Sequence, residues 1–183
     1  MNVFELMMEY IKEGRVKIDR QKFADKLATV HDPCNYGRKS EKTFGHGYYD
    51  EIRWITDQIC EQWVDTYPTK ENNFCCGAGG GAWAMPYNNE RLYYGRKKAE
   101  QIKATGAEIV VAPCHNCRDQ IMKGLTKEYD LHIETFYLWE LLAESLIVEP
   151  WTEEEIAKGE AEAAAQWEEL GVVMDEEEEE DEE

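Results

Sequence analysis

The adjacent cysteines Cys75 and Cys76, followed by Gly77-Ala78-Gly79-Gly80-Gly81, constrain this chain more than any other stretch. Neighbouring side chains diverge, so the pair cannot easily take two corners of one compact tetrahedral site. The glycines allow positive φ and leave backbone N–H groups free to approach a ligand, so the loop suits a site better than a core. Forty residues separate Cys34 from Cys75, and thirty-seven separate Cys76 from the pair Cys114-x-x-Cys117; only Cys60 lies outside this pattern.

The segments between these cysteines alternate in character. Phe4, Met7, Met8 and Ile11 recur at helical spacing and predict a short amphipathic helix over 2 to 13 that needs a partner to pack on. Leu27 to His31 reads as a short strand, broken by Asp32-Pro33 into the loop holding Cys34 and Gly37. Ile52, Ile55, Ile59 and Trp63 predict a helix from about 48 to 65, stopping before Pro68. A helix over 88 to 104 ends at Gly106, and Ile109 to Ala112 is a continuous apolar run of the kind buried on both faces of a parallel sheet. A helix over 116 to 125, a strand over 131 to 135 and a helix from Leu138 to Leu146 complete the body. Alternating strands and helices predict an α/β domain with a parallel sheet, whose ligands gather at the carboxyl ends of the strands. All five patterned cysteines are expected in loops there, on one rim.

Beyond Pro150, Thr152 and Glu155 form a capping-box pattern, and one more helix ends at Gly171, offered for docking a partner. Asp175 to Glu183 is a run of nine acids, expected to be disordered by self-repulsion. The organisation read from the chain is a body over 1–148, a helical extension over 149–172 and an acidic tail over 173–183. Residues 149 to 183 hold 17 acids and one base, so most of the net charge of -19 is local and the body carries 22 acids against 19 bases. The overall excess of 39 acids over 20 bases argues against a nucleic-acid or anionic-membrane surface, both of which select for basic patches. No apolar run suits a membrane span or a secretory signal, so the chain reads as soluble and cytoplasmic, with any membrane association made through partner subunits. In that compartment, cysteines point to metal binding or redox chemistry rather than to a disulfide framework.

Taken alone, Cys114-x-x-Cys117 fits a thioredoxin-like dithiol or half of a zinc site as well as a cluster. The separate pair Cys75-Cys76 favours a multi-iron cluster, because its several irons accept thiolates from different directions. Five candidate ligands exceed the four of an ordinary cubane, which suggests an unusual cluster or one thiol held back for chemistry. Gly77-x-Gly79-x-x-Ala82 also fits a loose dinucleotide fingerprint, but no clear strand precedes it and it opens onto Trp83 and Pro86.

His31-Asp32-Pro33-Cys34-Asn35-Tyr36-Gly37-Arg38, Cys75-Cys76-Gly77-Ala78-Gly79-Gly80-Gly81 and Pro113-Cys114-x-x-Cys117 together resemble the CCG cysteine-rich domain of heterodisulfide reductase catalytic subunits and related Fe-S oxidoreductases. Within that group, the likeness is greatest to the C-terminal part of the catalytic iron-sulfur subunit of a sulfite-reductase-associated membrane complex. The resemblance covers about residues 1 to 148. It implies a noncubane [4Fe-4S] cluster held by Cys34, Cys75, Cys76, Cys114 and Cys117, with Gly77, Gly79 and Gly80 beside it, that reduces a disulfide or related sulfur species in one-electron steps. It also implies a cubane-bearing subunit or domain as electron donor, and a thiol or disulfide, protein or small molecule, as substrate. The chain departs from the family in lacking the ligand runs of such a donor and in having one CCG repeat where relatives often have two. A non-catalytic metal-binding or electron-relay module is the alternative.

The remaining polar residues have plainer readings. Cys60, near Ile59 and Trp63, reads as a core residue. His115, between two candidate ligands, is a candidate for proton transfer, and a surface role fits it equally; His31 and His46 are weaker candidates. Arg38 and Arg118 adjoin the cysteines and either offset cluster charge or serve as surface charges.

Overall fold

The computed structural model describes residues 2 to 171. The expected disorder of residues 175 to 183 lies outside them. The chain divides into two units, Met1–Ile147 and Val148–Glu183.

The first unit opens with α1 (Val3–Lys12), whose N-terminus is closed by a capping box between Asn2 and Glu5. β1 (Ala28–Val30) leads through a wide turn over Asn35–Lys39 into α2 (Ser40–Phe44), then α3 (Tyr49–Ile59) and β2 (Trp63–Asp65). A long loop precedes α4 (Asn88–Thr105) and β3 (Ile109–Val111). α5 (His115–Asp119) runs through the wider turns of Gln120–Leu125 into α6 (Thr126–Glu128), followed by β4 (Glu134–Phe136) and α7 (Leu138–Glu144).

The expected helix over 48 to 65 is corrected by these elements. The chain leaves the helix at Cys60, whose backbone is extended, and Trp63 begins an edge strand instead of continuing the apolar face.

All four strands are parallel, in the order β2-β1-β3-β4. This confirms the α/β reading. The period-two alternation along β3 explains the layers: Ile109 and Val111 join Phe4, Ile52, Ile55 and Leu138 on one face, while Val110 and Ala112 join Ala99, Ile102, Ile121 and Leu125 on the other. Phe4 is the anchor of α1 and packs edge-on against the Tyr36 ring, with centroids 5.1 Å apart.

Chain order places β2 on one side of β1 and both later strands on the other. The winding therefore reverses between β1 and β3, and the loops leaving their carboxyl ends diverge to open a crevice.

The second unit contains α8 (Glu153–Glu169). Thr152 and Glu155 make the expected capping box, and Gly171 has φ +68° just beyond the helix. None of its described side chains is buried. Among the described residues, no helix is long and apolar enough to cross a membrane.

Candidate metal centre

The crevice holds the cysteines. Cys34 follows β1, Cys114 and Cys117 follow β3, and Cys75 and Cys76 arrive on the loop between β2 and α4. All five line one cavity of about 500 Å³, counting the part open to solvent, together with His31, Arg38, Gly79 and Gly80. No cysteine forms a disulfide. Cys75 and Cys76 are further from their strand than expected, since β2 ends at Asp65.

The thiols are graded in depth. Cys76 and Cys117 are buried among the side chains of the α4 face, Cys34 and Cys114 are half-buried, and Cys75 is exposed. The divergence of adjacent side chains thus sends Cys75 outward and Cys76 inward, both onto the same cavity. The Cys76 and Cys117 sulfurs are 3.3 Å apart, well beyond the ~2.05 Å of a disulfide bond, so they meet as thiols.

This contact shifts their proton affinities. Hydrogen bonding with Cys117 and Cys75 holds the Cys76 pKa well below the ordinary value, while Cys117, hydrogen-bonded to Cys114 and Cys76, and Cys75, hydrogen-bonded to Cys76, are pushed up. Cys114 falls to about 6, first through the Cys117 thiol and then through the backbone N–H groups of Cys117 and Asn116. Cys76 and Cys114 therefore readily supply thiolates, the form that binds metal. Cys60 lies apart, in the core on the opposite face of the sheet, where burial pushes its thiol up to about 11.

The glycines divide their work. Gly77 has φ +94°, donates its N–H to Cys75 Sγ at 3.3 Å, and is not itself part of the cavity wall. Gly80 and Gly81 are also left-handed, whereas Gly79 is not, so only two of the three later glycines need positive φ. The stretch lies between Asp65 of β2 and Asn88 of α4 without opening that helix, which removes the strand–turn–helix setting of a dinucleotide site.

A buried polar network with no signature in the sequence pattern fixes the loop. Asp32 receives both terminal nitrogens of Arg53, at 2.8 and 3.0 Å, and the backbone N–H of Lys70 at 2.8 Å. Arg53 also binds Asp65 at 2.7 Å and Thr69 Oγ1 at 2.7 Å, joining β1, α3, β2 and the loop. Burial works against the Asp32 charge, but the Arg53 guanidinium overcomes it and holds the carboxyl below its usual range. Asn73 donates to the Asp32 carbonyl at 2.6 Å and accepts from Lys98 Nζ. Lys98 is fully buried, which pushes its pKa down to about 8 against the pull of Asp32, Cys76 and Cys117.

The candidates beside the cysteines separate on geometry. Arg38 clamps the loop, donating to the carbonyls of Asn73 at 2.5 Å and Glu71 at 3.1 Å. Arg118 turns away to Glu140, 2.7 Å, and Asp119, 3.1 Å. His115 is exposed and outside the cavity wall, its ring 4.0 Å from Asp119, at the first turn of α5. His46 pairs with Glu51 on the surface. His31, the weaker candidate by sequence, is the histidine that the structure brings to the cysteines: one of its ring nitrogens lies within 4.8 Å of the sulfurs of Cys76 and Cys117.

The donor set fits an iron–sulfur cluster, since several thiols converge from separate loops on a cavity with exposed backbone and a buried floor. The chain is similar in sequence to several known proteins. The chain is 31% identical over 152 residues to one subunit of the dihydromethanophenazine:CoB–CoM heterodisulfide reductase of Methanosarcina mazei, covering 81% of this chain and 34% of that protein. It is 30% identical over 146 residues to the probable iron-sulfur-binding oxidoreductase FadF of Bacillus subtilis, covering 78% and 19%. It is 24% identical over 154 residues to an iron-sulfur subunit of the Hdr-like menaquinol oxidoreductase of Archaeoglobus fulgidus, covering 81% and 26%. The chain thus spans about a third or less of the length of these relatives. Residues 28–122, which contain every cysteine of the cavity, match the cysteine-rich domain named CCG. The chain belongs to the CCG cysteine-rich domain family.

Proposed function

We propose that this chain is the sulfur-reducing iron–sulfur module of an electron-transfer complex. The observation that carries the reading is the convergence of five unpaired thiols from three loops on one cavity that opens to solvent. In this reading Cys34, Cys75, Cys76, Cys114 and Cys117 hold a noncubane [4Fe-4S] cluster, with Gly79 and Gly80 giving backbone close to it. When bound, such a group supplies one-electron reducing equivalents.

The residues of the chain do the rest. Cys76 and Cys117 form the buried floor, and Cys75 stands at the mouth, where a disulfide enters. Reduction of that disulfide breaks one S–S bond, takes two electrons and two protons, and yields two thiols. The electrons come from a cubane iron–sulfur subunit or domain, and the protons from solvent at the open mouth. The relatives' names, which include heterodisulfide reductase and iron-sulfur oxidoreductase, support the reaction class.

A mononuclear metal held without catalysis is the second reading, favoured by the close triad of His31, Cys76 and Cys117. Anaerobic purification with iron, zinc and acid-labile sulfide analysis decides between them. Iron and sulfide in equal amounts, lost in Ser variants at each of the five cavity cysteines and retained in Cys60→Ser, are expected. Zinc without sulfide selects the second reading.

A further inference from the structure

His31 continues β1 at its carboxyl end, where its backbone N–H donates to Val111 of β3 at 2.9 Å. The sheet therefore fixes its position. Its side chain lines the cavity at 1% exposure; neither Nδ1 nor Nε2 makes a hydrogen bond of normal geometry within the chain, and the ring interacts with the Cys76 sulfur. Among the described residues, no other side chain leaves two buried polar atoms without such a bond. Orphaned buried donors are rare because burial strips their water without returning a hydrogen bond, so this ring points to a partner supplied by whatever fills the cavity.

We infer that His31 touches the bound cluster directly, donating a ring N–H hydrogen bond to one of its sulfur atoms, a sulfide or a cysteine thiolate; the inference rests on the iron–sulfur reading above. Neutral imidazole carries one N–H and imidazolium two, so a donor is present in both forms. The acceptor is at hand, since the sulfurs of Cys76 and Cys117 lie within 4.8 Å of the ring. Donation suits the site better than ligation of iron. A ligating histidine normally passes its second N–H to an acceptor, and apart from the cavity sulfurs His31 has none. As a donor, it leaves only a lone pair unmatched.

A hydrogen bond to cluster sulfur stabilises the more negative, reduced state, so His31 is a positioning residue that sets the potential of the centre. The other three histidines, His46, His115 and His132, have exposed side chains, so with the label confined to imidazole nitrogens the signal expected from the cluster is that of His31, and its loss in His31→Leu separates it from His115 beside Cys114.

The test uses the full chain loaded with cluster, with ¹⁵N confined to the imidazole nitrogens of histidine. Pulsed EPR of the paramagnetic state should show a weak coupling to one histidine nitrogen, absent in His31→Leu and His31→Gln. The midpoint potential should move to more negative values in His31→Leu and recover part of the shift in His31→Gln, which keeps an N–H donor. No histidine coupling in a chain shown by iron and sulfide analysis to hold its cluster overturns the inference, as does a strong coupling of iron-bound nitrogen. The wild-type spectrum decides even where a variant misfolds. Absence of iron and sulfide from the wild-type chain overturns instead the iron–sulfur reading, and the inference with it.

Discussion

Arg53 shows how much of this site depends on groups that never meet the cavity. Its guanidinium satisfies Asp32 next to the first cysteine loop and Asp65 at the end of β2, and reaches Thr69 on the second loop. Removing one partner of a buried pair leaves an uncompensated charge, which costs about 3–5 kcal/mol. Arg53→Met should therefore lower unfolding stability by about that much and reduce iron retention, measured by denaturant titration and metal analysis. A loss below ~1 kcal/mol would show that water compensates Asp32. The five cysteines were legible because residue type and spacing alone mark them. Arg53, Asn73 and Lys98 were not, since each owes its role to burial that appears only after the helices pack. His31 was present in the motif as a residue, but its two buried nitrogens without a normal hydrogen bond exist only in the folded chain.

At the scale of elements, α4 carries two glycines that oppose substitution for different reasons. Gly95 lies inside the helix, where alanine ordinarily gains about 1 kcal/mol. Here an added Cβ would sit 2.5 Å from the carbonyl oxygen of Cys76 and 2.6 Å from Leu125 Cδ2. Gly95→Ala should instead destabilise by about 1–3 kcal/mol and displace Cys76, lowering cluster content. Gly106 caps the same helix at φ +69° with open space around it, so Gly106→Ala should cost about 1–2 kcal/mol of backbone strain while cluster content stays normal. Thermal unfolding and iron analysis on both variants check this pair, and a stabilised Gly95→Ala would refute the close approach. The strands differ in legibility for a related reason. β3 is buried on both faces and spells a continuous apolar run. β2 is an edge strand with Val64 and Asp65 exposed, so it has no apolar signature, and Trp63 falls by chance on the helical spacing of Ile55 and Ile59.

Across the whole molecule, thiols are gathered at one place. Five of the six cysteines line the crevice, and the sixth is sealed in the core on the opposite face of the sheet. This chain can therefore hold a thiolate-bound cluster at a single position. A disulfide needs two electrons, whereas one such centre passes them singly, so the second must be delivered from outside before the intermediate state is lost. The donor cannot be a nicotinamide bound to the glycine loop, because Gly79 and Gly80 line the cavity wall and the loop opens no long helix. The cluster-loaded chain should therefore release thiol from a disulfide continuously when supplied with a reduced one-electron iron–sulfur protein. With NADH or NADPH alone, release should stop at or below one thiol per chain, the yield of a single stored electron. Thiol counted against chain concentration under anaerobic conditions measures both. Several thiols per chain with a nicotinamide as sole reductant would mean that this chain accepts hydride directly, and the proposed dependence on an iron–sulfur donor would fall.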